Sequence, residues 1–218
     1  NLNSAYSVSY SSILNMLSKY SLNEAVELLE NSFFAYQNNF NIKNLKKTFT
    51  SKLEVLELLK FKDNNKKSIV LTETYRDNLI VGLELLENDF NKDMNFYLML
   101  VCSGLSTTRQ VLSLNDIYMD TYVKFQIMEE KINKMESFAG VKNTTSIEIG
   151  WFSIFNEYLH SQDIELVLTK FNISIGDFIR AGKEASELST KLFNIYKLKE
   201  FKIISDMFSN ELIQKTMR

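Results

Sequence analysis

Proline is absent from this chain of 218 residues, glycine occurs six times, and cysteine, histidine and tryptophan occur once each. Few residues are therefore available to break regular structure. A lone Cys102 excludes an internal disulfide and a cysteine-rich zinc site. Lying in the apolar run FYLMLVCSGL, it reads as a buried, inert thiol. A lone His160 removes most acid–base and metal chemistry that relies on imidazole. No run approaches the roughly 18 uncharged apolar residues of a membrane span, so no membrane partner is expected. The opening NLNSAYSVSY lacks an initiator Met and the order of a signal peptide, and the chain is expected to be a piece of a longer protein. A formal net charge of −2 does not advertise nucleic acid for the molecule as a whole.

What is present is the composition of a soluble globular protein, with 45% hydrophobic and 24% charged residues. Charge is uneven. Between residues 38 and 67, lysines at 43, 46, 47, 52, 60, 62, 66 and 67 face Glu54, Glu57 and Asp63 alone. Apolar residues recur at helical period almost throughout. Tyr10, Leu14 and Leu17 form a short stripe. SLNEAVELLENSFFAYQ opens with Ser21 and Glu24 in capping-box register and continues with Leu22, Ala25, Val26, Leu29, Phe33 and Tyr36. Leu45, Phe49, Leu53 and Leu56 share one side of a third helix. KDNNKK interrupts the pattern, and SIVLT reads as a short extended piece. A new helical series runs Tyr75, Leu79, Leu83, Leu86 and Phe90. NFYLMLVCSGL is apolar all round and should be a central buried helix. A long amphipathic helix follows over LNDIYMDTYVKFQIMEEKINKMESF. Thr145 and Glu148 stand in capping-box register ahead of Trp151, Phe152 and Phe155. DIELVLTKF is a short helix, and Phe201, Ile204, Phe208 and Leu212 mark the last one. The fold is expected to be all-α.

The stretch NISIGDFIRAGKEASELSTKL poses the functional question. Ser174 and Asp177 hold the N-cap and N3 relation, with an acid suited to the positive end of the helix dipole. At 100° per residue, Phe178, Ala181, Ala185, Leu188, Leu192 and Ile195 fall in one sector. Arg180, Lys183, Glu184, Glu187 and Lys191 fall in a neighbouring one. A solvated face with pairs such as Glu187 and Lys191 would account for this, and charge pattern does not decide.

Four stretches, in order, carry a resemblance to the C-terminal region of superkiller-type DExH-box RNA helicases, the part called the DSHCT domain. SYSSILNML resembles the Tyr-Asn-Met-Leu-Asn-Leu-Leu run after the second RecA-like domain, through Tyr10, Asn15, Met16 and Leu17. LLENSFFAYQ resembles a Leu-Leu-x-x-Ser-Phe-x-x-Phe/Tyr-Gln motif, through Leu28, Leu29, Ser32, Phe33, Tyr36 and Gln37. LTETYR is similar to a Leu-Thr-x-x-Gly-Arg entry, with Tyr75 where Gly is usual. ISIGDFIR resembles the Gly-Asp-Phe-Val-Arg motif opening the ratchet helix, and a Trp-containing helix, here with Trp151, precedes it. The resemblance implies a helical bundle with a short helical N-terminal segment (1–40), a basic helix and linker remaining from a shortened arch (41–70), and a DSHCT-like bundle (71–218) with its ratchet helix at 175–195. It implies a cytoplasmic accessory region that guides single-stranded RNA, with DNA left open, as the strand leaves RecA-like motor domains of the same parent chain. Arg180 matches the motif's Arg. Lys183 and Lys191 would contact the backbone of the strand, and Glu187 would position them. Two departures stand out: Ser186 and Ser189 replace apolar residues usual in this helix, and the stretch between Gln37 and Leu71 is too short for a long arch.

No catalytic or metal-ligating set is expected in this segment. ATP and magnesium would belong to the motor domains that the resemblance implies. RAGKEA lacks the upstream Gly and the Ser/Thr of a phosphate-cradling loop. His160, Ser161 and Asp163 are sequence neighbours, which rarely form a triad, and read as a polar loop ending a helix. The reading from another class is a helical protein–protein interaction module with no nucleic-acid role, resting on the aromatics of SFFAYQ and the mild overall acidity.

Overall fold

A computed structural model describes residues 8–32, 42–61, 65–106, 116–142 and 144–209. The described residues form eleven helices and no strand, so the all-α expectation holds. The helices are α1 (Tyr10–Leu17), α2 (Leu22–Glu30), α3 (Ile42–Leu58), α4 (Lys66–Thr74), α5 (Leu79–Glu87), α6 (Met94–Ser103), α7 (Asp116–Ala139), α8 (Trp151–Ser161), α9 (Ile164–Phe171), α10 (Ile175–Tyr196) and α11 (Lys199–Ser209). Phe33, Tyr36, Gln37, Lys62 and Leu212, all invoked above, lie outside the described residues.

Two compact units divide the chain, one of residues 1–77 and 129–145, the other of 78–128 and 146–218. α7 contributes its residues up to Met128 to the second unit and those from Glu129 to the first.

In the first unit, α1, α3 and α4 bury Tyr10, Ile13, Phe49, Val55, Leu56, Val70 and Leu71. α2 starts on the capping box read from the sequence: the Glu24 N–H donates to Ser21 Oγ (3.4 Å), and the Ser21 N–H donates back to the Glu24 carboxylate (2.8 Å). SIVLT is not extended. It forms the body of α4, started by Asn65, whose side chain accepts from the Ser68 N–H. Ser68, Val70 and Leu71 are all buried, so burial overrides the weak strand preference of a short β-branched run. Tyr75 does not open the next helix; it ends α4 in the left-handed region at φ 55°. The basic segment is partly internal. Lys52 lies over the Tyr10 ring (4.6 Å) and 3.7 Å from Asp77, while Lys67 donates to the Leu59 carbonyl (2.9 Å) above the Phe61 ring.

The second unit is built on α6, buried at every position from Phe96 to Ser103. Cys102 is buried, as its apolar context implied, and burial raises its thiol pKa. Gly82 of α5 permits close approach to α6: a Cβ there would lie 2.8 Å from Leu100 Cγ. α8, α10 and α11 meet in an aromatic cluster. Phe155 stands 4.6 Å from Phe208 and 5.9 Å from Phe178, and Tyr158 stands 5.2 Å from Phe178. Each fully buried ring contributes roughly 1.5–3 kcal/mol through area alone. α8 begins at Trp151 after Gly150, which makes no side-chain cap. Thr145 and Glu148 therefore form no capping box. Thr145 instead donates its N–H and its hydroxyl to Glu136 within the first unit.

Candidate nucleic-acid interface

α10 carries the residues singled out by the sequence. Its start is fixed locally: the Asp177 N–H donates to Ser174 Oγ (3.1 Å), and the Ser174 hydroxyl donates to the Asp177 carboxylate (2.8 Å). One side of the helix then buries Phe178, Ala181, Gly182, Ala185, Leu188, Ser189 and Leu192. Ile195, assigned to the same sector, is half-buried. Packing on that side fixes the rotation of the helix about its axis, and so fixes what the other side presents.

The neighbouring face presents Arg180, Lys183, Glu187 and Lys191, all exposed. They follow one another along about 16 Å of axis at 1.5 Å per residue. The structure thus brings all four onto one ridge. Arg180 reaches back one turn, its Nη2 3.4 Å from Asp177 Oδ1, with its side chain 65% exposed. An exposed i, i+3 pair of this kind is worth a few tenths of a kcal/mol, so it steers the guanidinium without sequestering it.

Glu184, placed in the same sector by angle, has a different role. Its carboxylate accepts from the Ser106 N–H (2.8 Å) and the Ser106 hydroxyl (2.6 Å). This two-point contact ties the end of the turn after α6 to α10 and commits one acid of the ridge to the fold. Sequence offered no sign of it, because the partners lie 78 positions apart. The two serines that depart from the usual pattern also differ in role. Ser186 donates to the Ser205 carbonyl of α11 (3.1 Å), whereas the Ser189 hydroxyl is buried without a hydrogen-bond partner among the described residues.

The residues around RAGKEA are interior turns of α10. Their amides point along the helix, and no loop is present to cradle a phosphate. His160, Ser161 and Asp163 are each occupied locally. His160 Nδ1 donates to the Asn156 carbonyl (2.7 Å), Ser161 Oγ accepts from the Asp163 N–H, and Asp163 caps α9 through the Leu166 N–H (3.0 Å). Among the described residues no group of three or more His, Cys, Asp or Glu could hold a metal ion, and no helix is long and apolar enough to cross a membrane. What the α10 ridge offers is a line of donors, one planar and two flexible, suited to phosphate oxygens and base faces. In comparisons with known proteins, no family model matches the chain and no curated protein matches it.

Proposed function

We propose that this chain acts as the C-terminal accessory region of an ATP-dependent DExH RNA helicase, with α10 guiding single-stranded RNA as it leaves the motor core. The observation that carries the reading is the α10 ridge. Three cations and one acid stand exposed along one face of a 22-residue helix whose apolar face is buried in the core of the second unit. Glu184 is drawn to Ser106 and Asp177 steers Arg180, so the exposed line itself carries Arg180, Lys183, Glu187 and Lys191 in order. Tyr75 adds support of another kind. It adopts the left-handed conformation that Gly takes at least cost, and Gly is the residue that the helicase resemblance leads one to expect at that position.

A fluorescently labelled single-stranded U12 oligonucleotide, titrated with the chain across a salt series, tests this reading. Affinity is expected to fall with salt, and Arg180→Ala should weaken it several-fold while lowering the logarithmic salt slope by about 0.7. Unchanged affinity and slope in that variant would remove α10 from the interface. Protein docking is the second reading, favoured by Met119, Val123 and Ile127, which stand exposed at i, i+4 and i+8 on α7.

A further inference from the structure

A second exposed surface lies wholly within the first unit, where the C-terminal end of α7 meets the N-terminal half of α3. Phe138, in the last turn of α7, is 84% exposed, the highest value for a large apolar side chain among the described residues. The turn that holds it is closed firmly. Gly140 takes φ 84°, its N–H donates to the Ser137 carbonyl (3.2 Å), and the Val141 N–H donates to the Glu136 carbonyl (2.8 Å). This is the Schellman closure, in which a residue in the left-handed region follows the helix and the next side chain, here the buried Val141, anchors it. The ring therefore projects from a fixed base.

Lysines stand near the same turn. A Cβ built on Gly140 would lie 3.9 Å from Lys47 Cε, which brings Lys47 of α3 against this turn. Lys43 lies one helical turn before Lys47, and Lys142 follows two residues after Gly140. All three are exposed, and none is ion-paired among the described residues. Lys134, one turn back on α7, is matched by Glu130, and the acids of α3, Glu54 and Glu57, lie in its C-terminal half. A helix C-terminus attracts cations with about half a negative charge. Three ammonium groups exceed that and leave the patch positive.

We infer that Phe138, Lys43, Lys47 and Lys142 form a second contact for single-stranded nucleic acid, with one base stacked on the Phe138 ring and adjacent phosphates held by the lysines. The physical discriminator is the isolation of the ring. A protein partner gains most from an aromatic anchor that enters, or lies beside, an apolar pocket. Its apolar chain neighbours are Met135, half-buried, and Val141, buried, and at 84% exposure the Phe138 ring stands clear of both, so no exposed apolar side chain accompanies it. A nucleobase needs only a ring face and nearby cations, and gains from both together. This contact goes beyond the α10 reading and does not depend on it.

The test uses the whole chain, labelled U12 and a salt series. Phe138→Ala is expected to weaken binding about 5- to 50-fold with an unchanged logarithmic salt slope, the mark of a lost stack. Lys47→Gln with Lys142→Gln should lower that slope by about 1.4, the mark of two lost phosphate contacts. U12 carrying 5-iodouridine should photo-crosslink at Phe138, a readout that a merely structural role would not produce. These side chains are exposed, so melting temperatures should stay at the parent value. If Phe138→Ala binds like the parent and no crosslink maps to Phe138, the contact does not exist, whatever Arg180→Ala does. If polyglutamate displaces the oligonucleotide while Phe138→Ala is neutral, the lysines serve an acidic peptide and the proposal is overturned. Loss with Phe138→Ala but not with Arg180→Ala would retain this contact and remove α10.

Discussion

Burying a carboxylate is costly unless its lone pairs are occupied, and Glu136 meets that condition with three donors. It accepts from the Tyr10 hydroxyl (2.6 Å), the Thr145 N–H (2.5 Å) and the Thr145 hydroxyl (2.6 Å), all buried. Tyr10 is held at its other end as well, since its own N–H donates to Asp77 (2.8 Å). Tyr10→Phe removes one charge-assisted bond and leaves the carboxylate two donors, so a loss of about 1.5–3 kcal/mol is expected in equilibrium urea unfolding. Glu136→Ala strands two hydroxyls and an amide and should cost more. A Tyr10→Phe loss below about 0.5 kcal/mol would show that water replaces the phenol. The same three residues mark a limit of sequence reading. Tyr10 was legible as an apolar helix position, but its hydroxyl partner lies 126 positions away. Thr145 stood in capping register with Glu148, and nothing local revealed that Glu136 would claim both of its donors.

Single helices were more legible than their partners, because what starts and rotates a helix is mostly local. Ser21 with Glu24 and Ser174 with Asp177 were readable as caps, and both form. The apolar stripe of α10 was readable and is buried, so the exposed line of Arg180, Lys183, Glu187 and Lys191 followed from angle alone. SIVLT was misread because a run of that length is compatible with either a strand or a buried helix, and Asn65 as its cap was overlooked. The two serines of α10 make the point testable. Ser189 is buried with its hydroxyl unpartnered among the described residues, so Ser189→Ala removes a desolvated polar group and improves helix propensity. It should stabilise the protein by about 1 kcal/mol. Ser186→Ala instead deletes the bond to the Ser205 carbonyl between α10 and α11 and should destabilise by about the same amount. Paired urea midpoints moving in opposite directions would bear this out; both moving downward would mean that Ser189 is hydrogen-bonded in solution.

Across the whole molecule, several buried acids are held in their protonated form, and together they set how the protein responds to alkali. Burial, followed by the hydrogen bond and charge of Glu136, raises the Tyr10 pKa in the first unit. Burial, with Glu87 and Glu84 nearby, raises that of Tyr196 in the second, and burial alone raises that of Cys102. A raised pKa in the fold means that the unfolded chain loses its proton first, so the folded state binds more protons at high pH and stability must fall as pH rises. The contribution is complete below the unfolded values, about 8.5 for a thiol and about 10 for a phenol. Above them each group removes up to about 1.4 kcal/mol per pH unit. Urea midpoints should therefore hold level from pH 7 to 8, slope gently from about 8.5, and drop steeply beyond 10. Lysine deprotonation overlaps the steep part, and single variants separate the causes. Cys102→Ala lowers stability at pH 7 through the cavity it opens, yet should flatten the slope between about 8.5 and 10. Tyr10→Phe should leave that interval unchanged and soften the drop above it. If Cys102→Ala keeps the full slope, the thiol is not what loosens the second unit, and its burial within α6 does not persist in solution.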